Sequence, residues 1–204
     1  MTRVSGNDTE LSGSSTWQVR GERTLYDNRW ARLSKVDVEL PDGQRFEHHV
    51  VTLPAAAMTV LLDEAEEHVL LLWRHRFASD VWNWELPGGV VDQAEDPAVA
   101  AAREVEEETG YRAIAFEHLV TFEPMIGTVR SPHHVFVARD AVRVGEPTES
   151  TEMQRMEWMP LSRVPALIAG GTIRNSGTLV GLLHVLAQRF GALPASPPSA
   201  PPAA

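Results

Sequence analysis

Four consecutive aliphatic residues, Val69-Leu70-Leu71-Leu72, constrain this fold more than any other feature of the chain. Side chains of a strand point alternately to its two faces, so an unbroken apolar run leaves neither face for water. Such a strand belongs inside a sheet with further layers on both sides. The surrounding pattern agrees. Ala31 to Leu40 alternates, with Leu33, Lys35 and Asp37 on one face and Ser34, Val36, Val38 and Leu40 on or near the other. Pro41-Asp42-Gly43 turns the chain back into Arg45 to Leu53. Met58 to Leu62 and His68 to Arg74 read as two more strands, joined by the acidic turn Asp63 to Glu67. Further on, His134 to Ala138 and Met156 to Met159 read as strands, and Ser162 to Ala169 and Thr178 to Phe190 as helices. Strands with helices interspersed predict a mixed sheet covered on both faces, an α/β (α+β) architecture.

The clearest helix runs over residues 97 to 109. Asp96 is placed as its N-cap, Pro97 as its first residue and Gly110 as its stop. At roughly 100° per residue, Glu104, Glu107 and Glu108 share one arc, while Ala98, Ala101, Ala102 and Val105 form the apolar arc and Glu106 points elsewhere. Carboxylates crowded in this way repel one another by roughly 0.2–0.5 kcal/mol per i,i+4 pair. A hard divalent cation removes that penalty, and oxygen-only donors select Mg²⁺, Ca²⁺ or Mn²⁺. A glutamate-rich helix face is by itself an ordinary solvated surface. The preceding sequence changes that reading. Leu86-Pro87-Gly88-Gly89 must bend sharply, and its glycines let backbone approach a ligand, where a carbonyl can complete a metal site.

Composition narrows the function. A net charge of -10 argues against a protein built to grip nucleic-acid phosphates, so no nucleic-acid partner is expected. Bound cations can still invert the sign of a local site and admit a small anion. The chain has no cysteine, which excludes disulfides, thiolate ligands and a cysteine nucleophile. The most apolar stretch, Leu53 to Leu62, is too short to span a bilayer and contains Pro54, and residues 1–16 lack the apolar core of a secretory signal. No membrane association and a cytoplasmic location are expected. Residues 1–16 and 192–204 are expected to be disordered, the latter rich in proline and alanine.

From Gly89 the sequence reads five residues, Glu95, seven residues, then Arg103-Glu104-Val105-Glu106-Glu107-Glu108-Thr109-Gly110-Tyr111. This run resembles the Nudix box, G-x5-E-x7-R-E-U-x-E-E-x-G-U with U a large aliphatic residue. Every fixed position matches, a coincidence expected on the order of once in 10⁸ registers. The departure is Tyr111 at the last aliphatic position, which is a packing position. Around the box, the Leu40-Pro41-Asp42-Gly43 hairpin, Trp73-Arg74-His75-Arg76, Trp84-Glu85-Leu86-Pro87-Gly88-Gly89, the Glu152 to Leu161 segment and Gly171-Thr172-Ile173 resemble the ADP-ribose pyrophosphatase branch of that family.

The resemblance implies a three-layer α/β/α sandwich over residues 54–191, with residues 17–53 as an N-terminal β-hairpin extension. It implies Mg²⁺- or Mn²⁺-dependent hydrolysis of the diphosphate bond of a small nucleotide substrate, ADP-ribose or a related nucleotide sugar, by a metal-activated water. The metal ligands it implies are Glu104, Glu107 and Glu108, with Glu108 foremost, and the backbone carbonyl of Gly88. Arg103 would orient the glutamates through charge-assisted hydrogen bonds, and Glu95 would close the loop onto the helix. An acidic loop after the box, here Glu146 to Glu152, supplies the general base in that branch. Glu152 is the first candidate and Glu149 the second. Arg76 and Glu85 match substrate-contacting positions, for a phosphate and a ribose hydroxyl respectively, with an ordinary Arg–Glu strand pair as the alternative. Trp30, Trp82 and Trp84 stand open between base stacking and core packing. A homodimer through residues 25–53 is also implied.

In one segment the resemblance weakens. Where the branch has Ser-Pro-Gly and then a glutamate, this chain has Glu123-Pro124-Met125-Ile126-Gly127-Thr128-Val129-Arg130-Ser131, with Arg130-Ser131 at the place of the acid. That keeps other nucleotide sugars, dinucleotide cofactors and deaminated nucleotides open as substrates. A nucleotide sensor on the same fold is disfavoured by the intact Glu104, Glu107 and Glu108. An isopentenyl diphosphate isomerase would need the cysteine that is missing.

Overall fold

A computed structural model describes residues 16–149 and 153–194. The expected disorder of the two termini falls almost wholly outside these residues. The described residues form two compact units.

The first comprises the residues up to Leu53 together with Gly127–Arg130. Strands β1 (Gln18–Asp27), β2 (Arg32–Glu39) and β3 (Arg45–Thr52) make an antiparallel meander, and the short strand β9 (Val129–Arg130) adds in parallel to β3. On β2 the alternation holds: Ser34, Val36 and Val38 are buried and their neighbours are not. Strand β1, within the expected extension of residues 17–53 but without an apolar pattern of its own, is exposed along its whole length. Cross-strand ion pairs such as Arg20–Glu39 and Lys35–Glu47 lie along this sheet.

The second unit spans Pro54–Ile126 and the described residues from Ser131 onward. One sheet has the order β7 (Gly88–Val90), β4 (Ala56–Leu61), β10 (His133–Arg143), β8 (Tyr111–Phe122). It is mixed, since β10 runs parallel to β4 and antiparallel to β8. A second sheet has the antiparallel order β11 (Met153–Pro160), β5 (His68–Arg76), β6 (Val81–Glu85). A bridge between Leu62 and Val69 connects them. The aliphatic run on β5 is buried on both faces as predicted. Val69 and Leu71 pack with Val60, Trp84 and, from helix α3 (Ser176–Arg189), Leu182 and Leu186. Leu70 packs on the other side with Leu61, Ala138 and Val105 of helix α1 (Pro97–Thr109). The unit is therefore the expected three-layer α/β/α sandwich.

Several boundaries differ from the sequence reading; strand β10, expected over His134 to Ala138, runs over His133–Arg143. The helix expected over residues 162 to 169 begins as a 3-10 turn, Leu161–Arg163, before helix α2 (Val164–Ala169). Pro165 has no N–H to donate, so it is accommodated only in the first turn of the α-helix that starts there. The Gly88-Gly89 bend also enters the sheet, with Gly88 opposite Met58 on β4. Among the described residues, no helix is long and apolar enough to cross a membrane.

Candidate active site

Local chemistry sets the register of α1. The Asp96 carboxylate accepts a hydrogen bond from the Ala98 N–H at 2.8 Å, and Pro97 occupies the first turn, where its missing N–H costs nothing. Gly110 ends the helix in the left-handed conformation at φ 71° and donates its N–H to the Glu106 carbonyl. Ala100, Ala101 and Val105 are fully buried against the sheets. With that face fixed, Glu104 and Glu108 border the core instead of facing solvent, and both are buried. Gly89 runs so close to the helix that a β-carbon there would lie 2.5 Å from Glu104 Oε1. A side chain at residue 89 would displace the carboxylate.

Arg103 gathers the carboxylates. Its guanidinium donates to Glu95 Oε1 at 3.0 Å, Glu104 Oε1 at 2.8 Å and Glu107 Oε2 at 2.9 Å, and to the Val90 carbonyl at 3.2 Å. Hydrogen bonds to Glu95, then to Glu107 and Glu104, hold the guanidinium firmly in its charged form. Glu95 in turn accepts from the Asp92 N–H at 3.0 Å, which closes the loop before α1 onto the helix. Burial pushes the Glu104 carboxyl up from its ordinary range, with Arg103 opposing the shift.

Glu108 has different partners. Its Oε2 accepts from the Gly88 N–H at 2.8 Å, and its Oε1 meets the Arg74 guanidinium at 2.5 Å. Arg74 is 2% exposed and Glu108 7%. Burial raises the Glu108 carboxyl to about 7 despite the favourable charge of Arg74 and the Gly88 hydrogen bond. Arg74 Nε has no hydrogen-bond partner among the described residues. Nothing in the local sequence pattern pointed to Arg74, because its partner is on a different element.

The acidic loop comes to the same helix. The Glu107 carbonyl accepts from the N–H groups of Thr148 at 2.8 Å and Glu149 at 3.0 Å. Carboxylate oxygens of Glu104, Glu107 and Glu149 thereby lie within 4.8 Å of one another. Glu152 lies outside the described residues.

Arg76 and Glu85 form a forked ion pair across β5 and β6, with guanidinium–carboxylate distances of 2.6–3.2 Å. Asn83 donates to the same carboxylate at 3.0 Å. Arg74, Arg76, Asn83 and Glu85 share one face of the β5–β6 pair, and Trp73, His75, Trp82 and Trp84 share the opposite one. The three tryptophans weighed earlier divide. Trp84 is core, 4% exposed, whereas Trp82 is 45% and Trp30 57% exposed.

A glutamate-bearing helix set against a Gly-Gly turn, on a sheet covered on both faces, gathers a cluster of carboxylate oxygen donors. The chain belongs to the Nudix family: residues 52–176 match the NUDIX domain, and residues 17–51 match the nucleoside diphosphate sugar hydrolase N-terminal domain. It is similar to the CMP-5'-(N-acetyl-N-hydroxy-3-aminopropyl)phosphonate hydrolase of Streptomyces rubellomurinus, 54% identical over 83% of this chain and 82% of that protein. It is also similar to the ADP-ribose pyrophosphatase of Mycobacterium tuberculosis, 30% identical over 86% of each. A crystal structure of an ADP compounds hydrolase shares the fold, with a TM-score of 0.73 and 19% identity over 86% of this chain and 95% of that one.

Proposed function

We propose that this Nudix hydrolase cleaves the P–O–P bridge joining a nucleoside 5′-phosphate to a second phosphoryl or phosphonyl group. The approach of the Glu104, Glu107 and Glu149 carboxylates beside the Gly88-Gly89 turn carries this reading. The donors are all oxygen, which fits Mg²⁺ or Mn²⁺. Glu104, Glu107 and Glu108 with the Gly88 carbonyl are the proposed ligands. When bound, the cation polarises phosphoryl oxygens and lowers the pKa of a water. Arg103 holds Glu104 and Glu107 in place, and Glu152, or failing it Glu149, takes the proton of the attacking water. The water oxygen bonds to phosphorus as the bridging P–O bond breaks, leaving a nucleoside monophosphate and the second phosphate or phosphonate. Arg76, steadied by Glu85, is assigned to a substrate phosphate, and Glu85 to a ribose hydroxyl.

Two substrates lead: a CMP-linked phosphonate, from the 54% identical relative, and ADP-ribose, from the 30% identical one. The test is release of nucleoside monophosphate in Mg²⁺ or Mn²⁺ from these two, nucleotide sugars, dinucleotides and triphosphates. Release from nothing overturns the reading, and release from triphosphates alone overturns both leading substrates. Glu107→Gln is expected to raise the Mn²⁺ concentration for half-maximal activity by about 10–100-fold, the loss typical of a disturbed metal site. Glu106→Gln, whose carboxylate pairs with Arg112 at the surface, is the control and should leave it unchanged. Equal behaviour of the two variants would remove Glu107 from the ligand set.

We also propose a homodimer through residues 25–53, part of an extension over residues 17–53 that precedes the hydrolase domain of residues 54–191. Leu25, Tyr26, Trp30 and Phe46 are all exposed there, which gives a partner copy apolar side chains to cover. Sedimentation should give twice the chain mass of 22.5 kDa. A monomer at micromolar concentration discards the dimer.

A further inference from the structure

Arg74 lies on the central strand of the β11–β5–β6 sheet, opposite Asn83 on β6 and Met153 on β11. Backbone pairing on both sides therefore fixes where its side chain starts. The register of β11 shifts at this point, between Met153 and Arg155, and a bulge of this kind re-aims the side chains around it. The guanidinium reaches from this sheet to α1, where it meets Glu108 Oε1, while Glu108 Oε2 accepts from the Gly88 N–H on β7. One buried carboxylate is thus held at both oxygens, from a strand of each sheet. Arg103 donates to Glu95, Glu104 and Glu107, and Glu108 turns instead to Arg74. As a device for stability the arrangement is poor. A buried ion pair is often no better than apolar residues of the same volume. Here Arg74 Nε is also buried without a hydrogen-bond partner among the described residues, which adds a desolvation cost. What the guanidinium supplies is direction.

We infer that Arg74 is a positioning residue for the metal site, fixing the Glu108 carboxylate in the orientation in which it meets the cation. The inference rests on the reading of Glu108 as a metal ligand. It assigns to Arg74 the part that Arg103 plays for Glu104 and Glu107, through a charge-assisted contact to a ligand. At 2% exposure Arg74 is out of reach of substrate, so its effect passes through Glu108.

The test reads metal binding directly, without turnover. Free Mn²⁺ is followed by electron paramagnetic resonance as protein is added. Arg74→Lys keeps the charge but replaces a planar fork by a point charge on a flexible stem. It should raise the Kd for Mn²⁺ about tenfold, and Arg74→Gln, which also removes the charge, up to about 100-fold. In a Glu108→Gln background Arg74→Gln should add little further loss, because the two act through one ligand. Leu182→Ala in α3 truncates a fully buried core residue and destabilises the fold by its cavity. It controls for lost stability alone and should bind Mn²⁺ as the wild type does. Arg74→Lys carries the test if Arg74→Gln fails to fold. Wild-type Mn²⁺ affinity in a folded Arg74 variant overturns the inference and leaves the hydrolase reading intact. Losses that add in the double variant, or an equal loss in Leu182→Ala, also overturn it, by showing that Arg74 acts on the fold at large. Failure of the wild-type protein to bind Mn²⁺ would overturn the reading of the metal site instead.

Discussion

Glu152→Gln is expected to lower kcat by about 10²–10⁴-fold, the contribution typical of a positioned general base, with folding and nucleotide affinity retained. The reasoning joins resemblance to geometry. The resemblance to the ADP-ribose pyrophosphatase branch implies a base on the acidic loop after the box, and the described part of that loop is tied to α1 by Thr148 and Glu149 N–H donation to the Glu107 carbonyl. The tether delivers Glu149 to the carboxylate cluster, and Glu152 follows three residues on. Glu149→Gln is the paired measurement. A large loss there with near-normal turnover in Glu152→Gln would make Glu149 the base. If both variants keep their rate, the base lies within the box.

The second large effect is on stability. Arg74→Met should cost about 3–5 kcal/mol, the range for breaking a buried ion pair by removing one partner. Both side chains are more than nine-tenths buried, so the Glu108 carboxylate would keep the Gly88 N–H and lose its counter-charge. The double variant Arg74→Met/Glu108→Gln should recover most of that loss, because two neutral groups no longer demand compensation. Chemical denaturation measures both. A single-variant cost below about 1 kcal/mol would mean that Glu108, already raised to about 7, escapes the penalty by taking up a proton.

What could be read from sequence was what local chemistry decides. Helix α1 came out residue for residue, since its cap, its proline and its terminal glycine act within one turn of the ends. The β2 and β5 patterns were legible because burial selects residue type at each position. Strand β1 carries no such imprint: with all ten residues exposed, no face is selected. Strand β8 was missed for a related reason, since buried positions are sparse along its twelve residues. The wheel of α1 separated acids from core but missed Ala100 and did not show that Glu104 and Glu108 would be buried. That depends on Arg103, on Gly89 and on Arg74, the last of them 34 residues from its partner and on a strand instead of the helix. Trp82 and Trp84 share a face, yet one is core and the other open, because the packing layer ends between them.

Strand β5 changes character halfway along, from aliphatic at Val69 to Leu72 to alternating aromatic and cationic at Trp73 to Arg76. Its pairing with β6 and β11 therefore acts as a ruler for chemistry as well as for packing. Slipping by a single residue would turn both arginines toward α3 and the rings toward the glutamates, since each position changes face. The aliphatic half would remain apolar on either face after such an error. The charged half would reveal it at once, so fidelity of alignment on this strand rests on Trp73 to Arg76.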